Sequence, residues 1–404
     1  MIEIKKIRDL FRILNTKVNG KNLIYFDNAA TTHKPQIVID KIANYYTHQN
    51  SNVHRGVHYL SRIATEKLEL SREATRKFIG AKHNHEIIFT KGATDSINLV
   101  AHGYQTLLKK GDEIIISELE HHANIVPWQI CCKISGATLK IIPTLENGEL
   151  NLEEFNNLLS LKTKLVAISH ISNTLGTINP IEEIISMSHK AGAKVLIDGA
   201  QAASHIPLKM QSLSADFYAF SAHKMFGPTG VGVLYGKENE LKALPVYQAG
   251  GEMIKEVCFS GTTYADLPHK FEAGTPNISA IIGFKAAIDF ISRLGVKNIA
   301  HHEDELLQYA TSKLLEIPKL KIYGTSKQKT GIISFNIEGL HHYDIGVILD
   351  KLGIAIRTGH HCTQPIMKKY NIPGTARISF AIYNTKNEID LCIEAIKKAK
   401  KMLS

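Results

Sequence analysis

The chain has 404 residues, 44% of them hydrophobic and 21% charged, an ordinary balance for a globular protein large enough to divide its apolar residues between two cores. Its formal charge of +10 is carried by lysines spread along the whole length, with no recognisable nucleic-acid motif, which argues against a nucleic-acid-binding protein. No apolar run approaches the roughly 20 residues of a transmembrane helix, and five cysteines without metal-ligand spacing argue against both a disulfide framework and a zinc ribbon.

The first ten residues, Met1 to Leu10, interleave charged and apolar side chains and offer no signal-peptide pattern, so a cytoplasmic protein is expected. From Glu86 to Tyr235 short β-rich runs alternate with helical patterns. The runs are Ile87–Phe89, Glu113–Ser117, Lys164–Ser169, Val195–Asp198, Phe217–Ser221 and Val231–Tyr235. Such alternation predicts an α/β sheet with crossover helices, its central strands buried on both faces. Cys131 and Cys132 fall in a helix after Pro127-Trp128 and Cys258 in a β-like stretch, all three expected to be packing residues. After Pro276 come two long helices, from Asn277 to about Leu294 and from about Val296 to Ile317. Strands follow near residues 331–337, 354–358 and 376–381, then a last helix from about Lys386 to Leu403 with Asn384 or Thr385 as N-cap. Cys392 shares its core face with Ile389, Ile393 and Ile396, and the lysines at 397, 398, 400 and 401 suit a helix C-terminus. The expected division is an N-terminal segment 1–20 packing with the small domain, a large domain 21–285, and a smaller α+β domain 286–404.

Two residues stand out chemically: Lys224 in Ser221-Ala222-His223-Lys224, and Cys362 in Arg357-Thr358-Gly359-His360-His361-Cys362. A lysine amine condenses with a carbonyl cofactor such as pyridoxal phosphate, and a thiolate attacks soft centres such as sulfur. Asp198 ends one predicted strand and Lys224 follows another, so both should emerge at the carboxyl edge where open α/β sheets bind ligands. A carboxylate about 4 Å from a pyridinium nitrogen, at an effective dielectric of about 20, contributes on the order of 4 kcal/mol, or roughly three pKa units toward the protonated ring. The run Thr90-Lys91-Gly92-Ala93-Thr94-Asp95 follows a strand and opens a helix, which offers backbone N–H groups and the Thr94 hydroxyl to a phosphate. Ser221 and His223 add further donors.

These residues, with Tyr25-Phe26-Asp27-Asn28-Ala29-Ala30-Thr31-Thr32, Asn52-Val53-His54-Arg55-Gly56, Glu120 to Trp128, Ser172-Asn173, Asp198-Gly199-Ala200-Gln201, Phe271 to Pro276 and Ala376-Arg377-Ile378-Ser379, resemble the class V branch of fold type I pyridoxal-phosphate enzymes. Within it they are similar to the group II (SufS-type) cysteine desulfurases, over nearly the whole chain. The resemblance implies a large domain with a mostly parallel seven-stranded sheet and a smaller C-terminal domain carrying the catalytic cysteine.

It also implies roles. Lys224 would bind the cofactor as a Schiff base, Asp198 would pair with the ring nitrogen, His121 would stack on the ring and Gln201 would contact its phenolic oxygen. Thr94, Ser221 and His223 would hold the phosphate, joined by Thr275 from the other subunit of a homodimer. Asn173 would lie beside cofactor and substrate, Arg377 would bind the substrate carboxylate, and Arg357, His54 and Arg55 would assist at the substrate. Cys362 would take sulfur from L-cysteine as a persulfide and release L-alanine, with Lys224 as general base and His360 and His361 raising the thiolate fraction or relaying protons. The short Arg-x-Gly-His-His-Cys loop, with Gln364-Pro365 after it, implies a SufE-like or SufU-like sulfur acceptor and a place in iron–sulfur cluster assembly. Three residues depart from the family pattern: Ala93 where a second hydroxyl is common, Ala222 where glycine is commoner, and Thr363 where alanine is usual.

Other readings use the same residues. A selenocysteine lyase or cysteine sulfinate desulfinase would employ Lys224 and Arg377 alike, and an aminotransferase would make Cys362 incidental. A non-enzymatic scaffold predicts erosion at Lys224, Asp198, His121 or Arg377, yet all four are present. The His-His pairs at 121/122, 301/302, 341/342 and 360/361 lack carboxylate or cysteine partners at ligand spacing, so no metal is expected and His301 and His302 read as helix-surface residues.

Overall fold

The computed structural model describes residues 3–404; Met1 and Ile2 lie outside them. Helices α1 (Gln36–His48) and α2 (Tyr59–Ile79) lead into a seven-stranded sheet. Its strands are β1 (Ile87–Thr90), β2 (Glu113–Ser117), β3 (Thr138–Ile142), β4 (Thr163–Ser169), β5 (Lys194–Asp198), β6 (Phe217–Ser221) and β7 (Gly232–Gly236), in spatial order β1-β7-β6-β5-β4-β2-β3. All neighbouring pairs are parallel except those of β7, which runs antiparallel to β1 and β6. The sequence explains the layering: Val195 and Ile197 face one apolar cluster and Leu196 the other, as Val166 and Ile168 oppose Leu165 and Ala167. A strand with apolar residues on both faces is stable only with helices on both sides. Strand β3, with its half-exposed Lys140, was not apparent from the sequence; it sits at the sheet edge, where only one neighbour constrains it.

Two features bring the site together at the carboxyl edge. Gly232 lies so close to the turn before helix α3 (Ala93–Leu107) that a Cβ there would sit 2.3 Å from the Gly92 Cα, so the helix start can rest directly on β7. The strands β4, β5 and β6 end at Ser169, Asp198 and Ser221, all buried and all at that edge.

An exposed hairpin, β8 (Ile254–Cys258) with β9 (Gly261–Tyr264), follows, and it corrects one expectation: Cys258 is exposed, not a packing residue. Its register contains an irregularity between Ile254 and Glu256, and no apolar layer covers it. Cys131, Cys132 and Cys392 are buried as expected. Helix α4 (Val126–Ser135) carries the first two of these. Helix α5 (Ile278–Leu294) crosses α1 and α2, and α6 (Val296–Leu315) leads to an antiparallel sheet of β10 (Leu320–Tyr323), β11 (Ile332–Ile337), β12 (Arg357–Gly359) and β13 (Thr375–Ser379), ordered β10-β11-β13-β12. Helices α7 (His342–Lys351) and α8 (Lys386–Leu403) cover it around a separate apolar cluster that includes Leu306, Phe335, Ile378, Ile389 and Ile396. Thr385 is the N-cap of α8: its hydroxyl accepts from Glu388 N–H while the Glu388 carboxylate accepts from Thr385 N–H. His302 is not merely a surface residue, since its Nε2 lies 3.0 Å from the Asn384 carbonyl. Among the described residues no helix is long and apolar enough to cross a membrane.

Candidate active site

A cavity of about 250 Å³ opens where the two sheets meet, lined by Thr94, His121, Asn173, Asp198, Gln201, Ser221, His223, Lys224, Arg357, Cys362 and Arg377 among others. Lys224 follows β6 in a short 3₁₀ turn, Ala222–Lys224. Burial pushes its amine down to about 8, against the pull of Asp198, which favours the charged form. Asp198 is buried, accepts a hydrogen bond from Ala200 N–H at 2.9 Å, and has its pKa raised by burial with Lys224 opposing the shift.

His121 accepts from Ala123 N–H at its Nδ1 (3.0 Å), so the remaining proton sits on Nε2. Burial, then the nearby Lys224, pushes its pKa down to about 3, so the ring is neutral. Ser221 Oγ accepts from Ala93 N–H at 2.7 Å, which leaves its own proton free for a ligand and ties the α3 start to the lysine strand. Gln201 donates from Nε2 to the Ala29 carbonyl at 2.7 Å.

The second sheet supplies the opposite wall. Arg357 and Arg377 stand directly opposite each other on β12 and β13. Arg377 donates to the Asn173 carbonyl (2.7 Å) and to Asp27 Oδ1 (3.0 Å), and its Nε is buried without a partner. A guanidinium has five donors, so Nε–H and the second proton of each terminal nitrogen remain for a carboxylate. Burial lowers Arg377 to about 10, still charged at neutral pH, and burial raises Asp27 even beside the two arginines.

The cysteine loop is pinned on several sides. His361 and Cys362 take left-handed backbone (φ 52° and 59°). His122 N–H donates to the Cys362 carbonyl (2.8 Å), Asn173 Nδ2 to the His361 carbonyl (2.7 Å), and Gln364 N–H to His122 Nε2 (3.2 Å). Thr363, the departure from alanine, has a role here, since its hydroxyl lies 2.7 Å from that of Thr174 and donates to the His360 carbonyl. His360 Nδ1 accepts from Cys362 N–H, and the buried His361 ring meets the Thr375 hydroxyl at 2.8 Å and is held neutral, its pKa down to about 2. No hydrogen bond joins either imidazole to the Cys362 thiol; His360 braces the loop backbone, and His361 ties the loop to Thr375 on β13.

Not every expected residue lies in this cavity. His54 packs its ring against His269 (centroids 4.9 Å apart), Arg55 reaches Glu252 at 3.2 Å, and Thr275 is exposed. Asn173 lines the cavity, but its amide nitrogen is committed to the cysteine loop. Asp27 carried no expected role, and no local pattern pairs it with Arg377, which lies 350 residues away in the chain. Among the described residues no group of three or more His, Cys, Asp or Glu side chains could hold a metal ion.

The residues present fit pyridoxal phosphate: an amine of depressed basicity, a buried carboxylate, a neutral imidazole, a helix start with a free hydroxyl, and an unpaired guanidinium N–H converge on one cavity. The model of the class-V aminotransferase family matches residues 24–392. A probable cysteine desulfurase of Halalkalibacterium halodurans is 49% identical, covering 98% of this chain and 97% of its own, and a cysteine desulfurase of Escherichia coli is 48% identical over 99% of both. A longer probable cysteine desulfurase, from Mycolicibacterium paratuberculosis, is 47% identical over 98% of this chain, which spans 58% of that protein's length. Among solved structures, the apo cysteine desulfurase of Thermococcus onnurineus superposes with a TM-score of 0.95 at 39% identity, covering 100% of this chain and 99% of its own. The Escherichia coli cysteine desulfurase CsdA, solved with an S-sulfonic acid, gives 0.93 at 35% identity with full coverage of both.

Proposed function

Because the chain belongs to the class-V aminotransferase family, we propose that it is a pyridoxal-phosphate cysteine desulfurase, converting L-cysteine to L-alanine and holding the sulfur as a persulfide on Cys362. The carrying observation is that Lys224 and Cys362, 138 residues apart by numbering (362 − 224), line one cavity with Asp198 and Arg377. When bound, the cofactor supplies an electron sink for negative charge at the substrate Cα. Lys224 would hold its aldehyde, Asp198 its ring nitrogen, His121 its ring face, Gln201 its phenolic oxygen, and Thr94, Ser221 and His223 its phosphate. Arg377, with Arg357 beside it, orients the substrate carboxylate. Lys224, with an amine that exchanges protons near neutral pH, takes the Cα proton. The Cys362 thiolate then bonds to the substrate sulfur as the substrate Cβ–S bond breaks, and protonation of the carbon left behind gives alanine.

The finer assignment is a group II, SufS-type enzyme acting in iron–sulfur cluster assembly, supported by the short cysteine loop with its many anchors. A loop so held cannot travel, so a SufE-like or SufU-like acceptor must bring its thiol to Cys362. A homodimer is part of this reading: exposed Thr275, with His54 and Arg55, would complete the partner's site. The free state of all five cysteines favours a reducing compartment, the cytoplasm. The alternative, a selenocysteine lyase or cysteine sulfinate desulfinase, uses the same cavity and differs in substrate preference.

Borohydride reduction of the loaded protein followed by peptide mass analysis tests the cofactor assignment. A reduced phosphopyridoxyl group on Lys224 is expected. Attachment elsewhere, or none, would contradict it. Competition between L-cysteine and L-selenocysteine separates the two substrate readings.

A further inference from the structure

The segment Thr31-Thr32-His33-Lys34, which starts at the end of the Tyr25–Thr32 motif and runs past it, carries no catalytic role so far, yet it converges on the backbone of the reactive lysine. The acceptor is the carbonyl of His223, which belongs to the peptide joining His223 to Lys224. Thr32 N–H (3.1 Å), Thr31 Oγ1 (3.0 Å), Thr32 Oγ1 (3.2 Å) and Lys34 Nζ (2.9 Å) all point at this one oxygen. A carbonyl oxygen has two lone pairs, so four donors far exceed ordinary satisfaction and mark it as the focus of the segment.

The same threonine also holds the far side of the turn, since Phe226 N–H donates to Thr32 Oγ1 at 2.8 Å. Thr32 is 3% exposed, so these bonds are shielded from water. Phe226 needs the restraint: it is buried, bulky and in left-handed backbone at φ 58°, a conformation that persists only when its surroundings over-determine it. Its ring is wedged against Phe11, Phe290 and Tyr383 at centroid distances of 5.9, 5.6 and 6.2 Å. The next carbonyl, that of Lys224 itself, accepts from Ser204 Oγ at 3.2 Å. Lys34 adds a charge-assisted bond, stronger than a neutral one, and its amine also meets the Thr32 carbonyl.

We propose that Thr32 and Lys34 are positioning residues for the reactive lysine: they fix the plane of the His223–Lys224 peptide and hold the turn through Phe226, so that the Lys224 side chain leaves its Cα toward the cavity. This rests on Lys224 being the cofactor-bearing residue. Neither side chain lines the cavity, so each acts through the backbone it grips.

The test uses the full-length, cofactor-loaded protein. Thr32→Val keeps the shape and removes the hydroxyl; Lys34→Met keeps the stem and removes the charge. In both, kcat for alanine formation should fall about tenfold and cofactor release should quicken about tenfold, the worth of one buried hydrogen bond. KM for L-cysteine, set by Arg377, should be unchanged. The pH midpoint of the visible absorbance of the lysine-bound cofactor should move, and Thr32→Ser should restore all these properties. Variants that lose thermal stability but keep kcat, release rate and midpoint would overturn the proposal and leave Thr32 and Lys34 with a purely architectural role. If Thr32→Val does not fold, Lys34→Met decides by the same readouts. An unaltered protein that shows no lysine-bound absorbance would instead overturn the functional reading, and the proposal with it.

Discussion

At the scale of single residues the site is governed by burial working against charge. Glu120, immediately before His121, is completely buried and accepts from Ser117 Oγ, Asn124 Nδ2 and Ser169 N–H, so it braces the ends of two strands beneath the cavity. Burial lifts its pKa from 4.5 to about 7, Asp198 adding to the rise and the three donors opposing it. Between those values the folded protein keeps a proton that the unfolded chain has released. Native stability attributable to Glu120 therefore falls as pH rises from about 4.5 to about 7 and is constant above that. Glu120→Gln should gain on the unaltered protein across that interval by on the order of 3 kcal/mol in denaturant unfolding; a difference independent of pH would contradict it. Lys224 and Cys362 were legible from their short, chemically unusual runs and Asp198 from its place at a strand end, whereas Arg377 came only with the family resemblance. Asp27, Thr32 and Lys34 were not legible, because their partners lie about 190 to 350 residues away and no local spacing encodes a contact of that range.

At the scale of elements, hydrophobic runs located most strands, while the elements they missed lack two buried faces. Strand β3 is an edge strand of mixed polarity; in the exposed hairpin the β-like stretch around Cys258 is indeed strand β8, while the exposed strand β9 went unmarked. The N-cap of α8 was narrowed to two residues, and the reciprocal bonds of Thr385 and Glu388 chose between them. A further element-level tie was invisible in the sequence. Arg72 on α2, fully buried, grips Glu272 with both terminal nitrogens (2.7 and 2.8 Å), and Glu272 also accepts from Phe89 N–H on β1. This ion pair fastens the segment that leads to Thr275 onto the large sheet. Removing one partner leaves the other charge buried, so Arg72→Met should cost about 3–5 kcal/mol in unfolding free energy. A loss below about 1 kcal/mol, the worth of a surface pair, would show that the bridge is not anchoring that segment.

At the scale of the whole molecule, the cavity exists because two separately packed bodies meet. The large sheet supplies Lys224 and Asp198 from strand ends; the small sheet supplies Arg357, Arg377 and the cysteine loop. The junction is reinforced by Phe11, whose ring meets Phe226 beside the reactive lysine, Phe290 on α5 and Tyr383 before α8. It is reinforced again by Arg8, which bonds the Tyr383 carbonyl and pairs with Glu388. Any loosening between the bodies would separate the amine from the thiol, two groups that must serve one reaction. The direct test is alanine and sulfide release from L-cysteine in the presence of a reductant, comparing the unaltered protein with Cys362→Ala. Equal amounts of alanine and sulfide are expected, both disappearing in the variant while its lysine-bound cofactor absorbance persists. Sulfide release undiminished in Cys362→Ala would contradict this, because the sulfur would then leave without passing through Cys362.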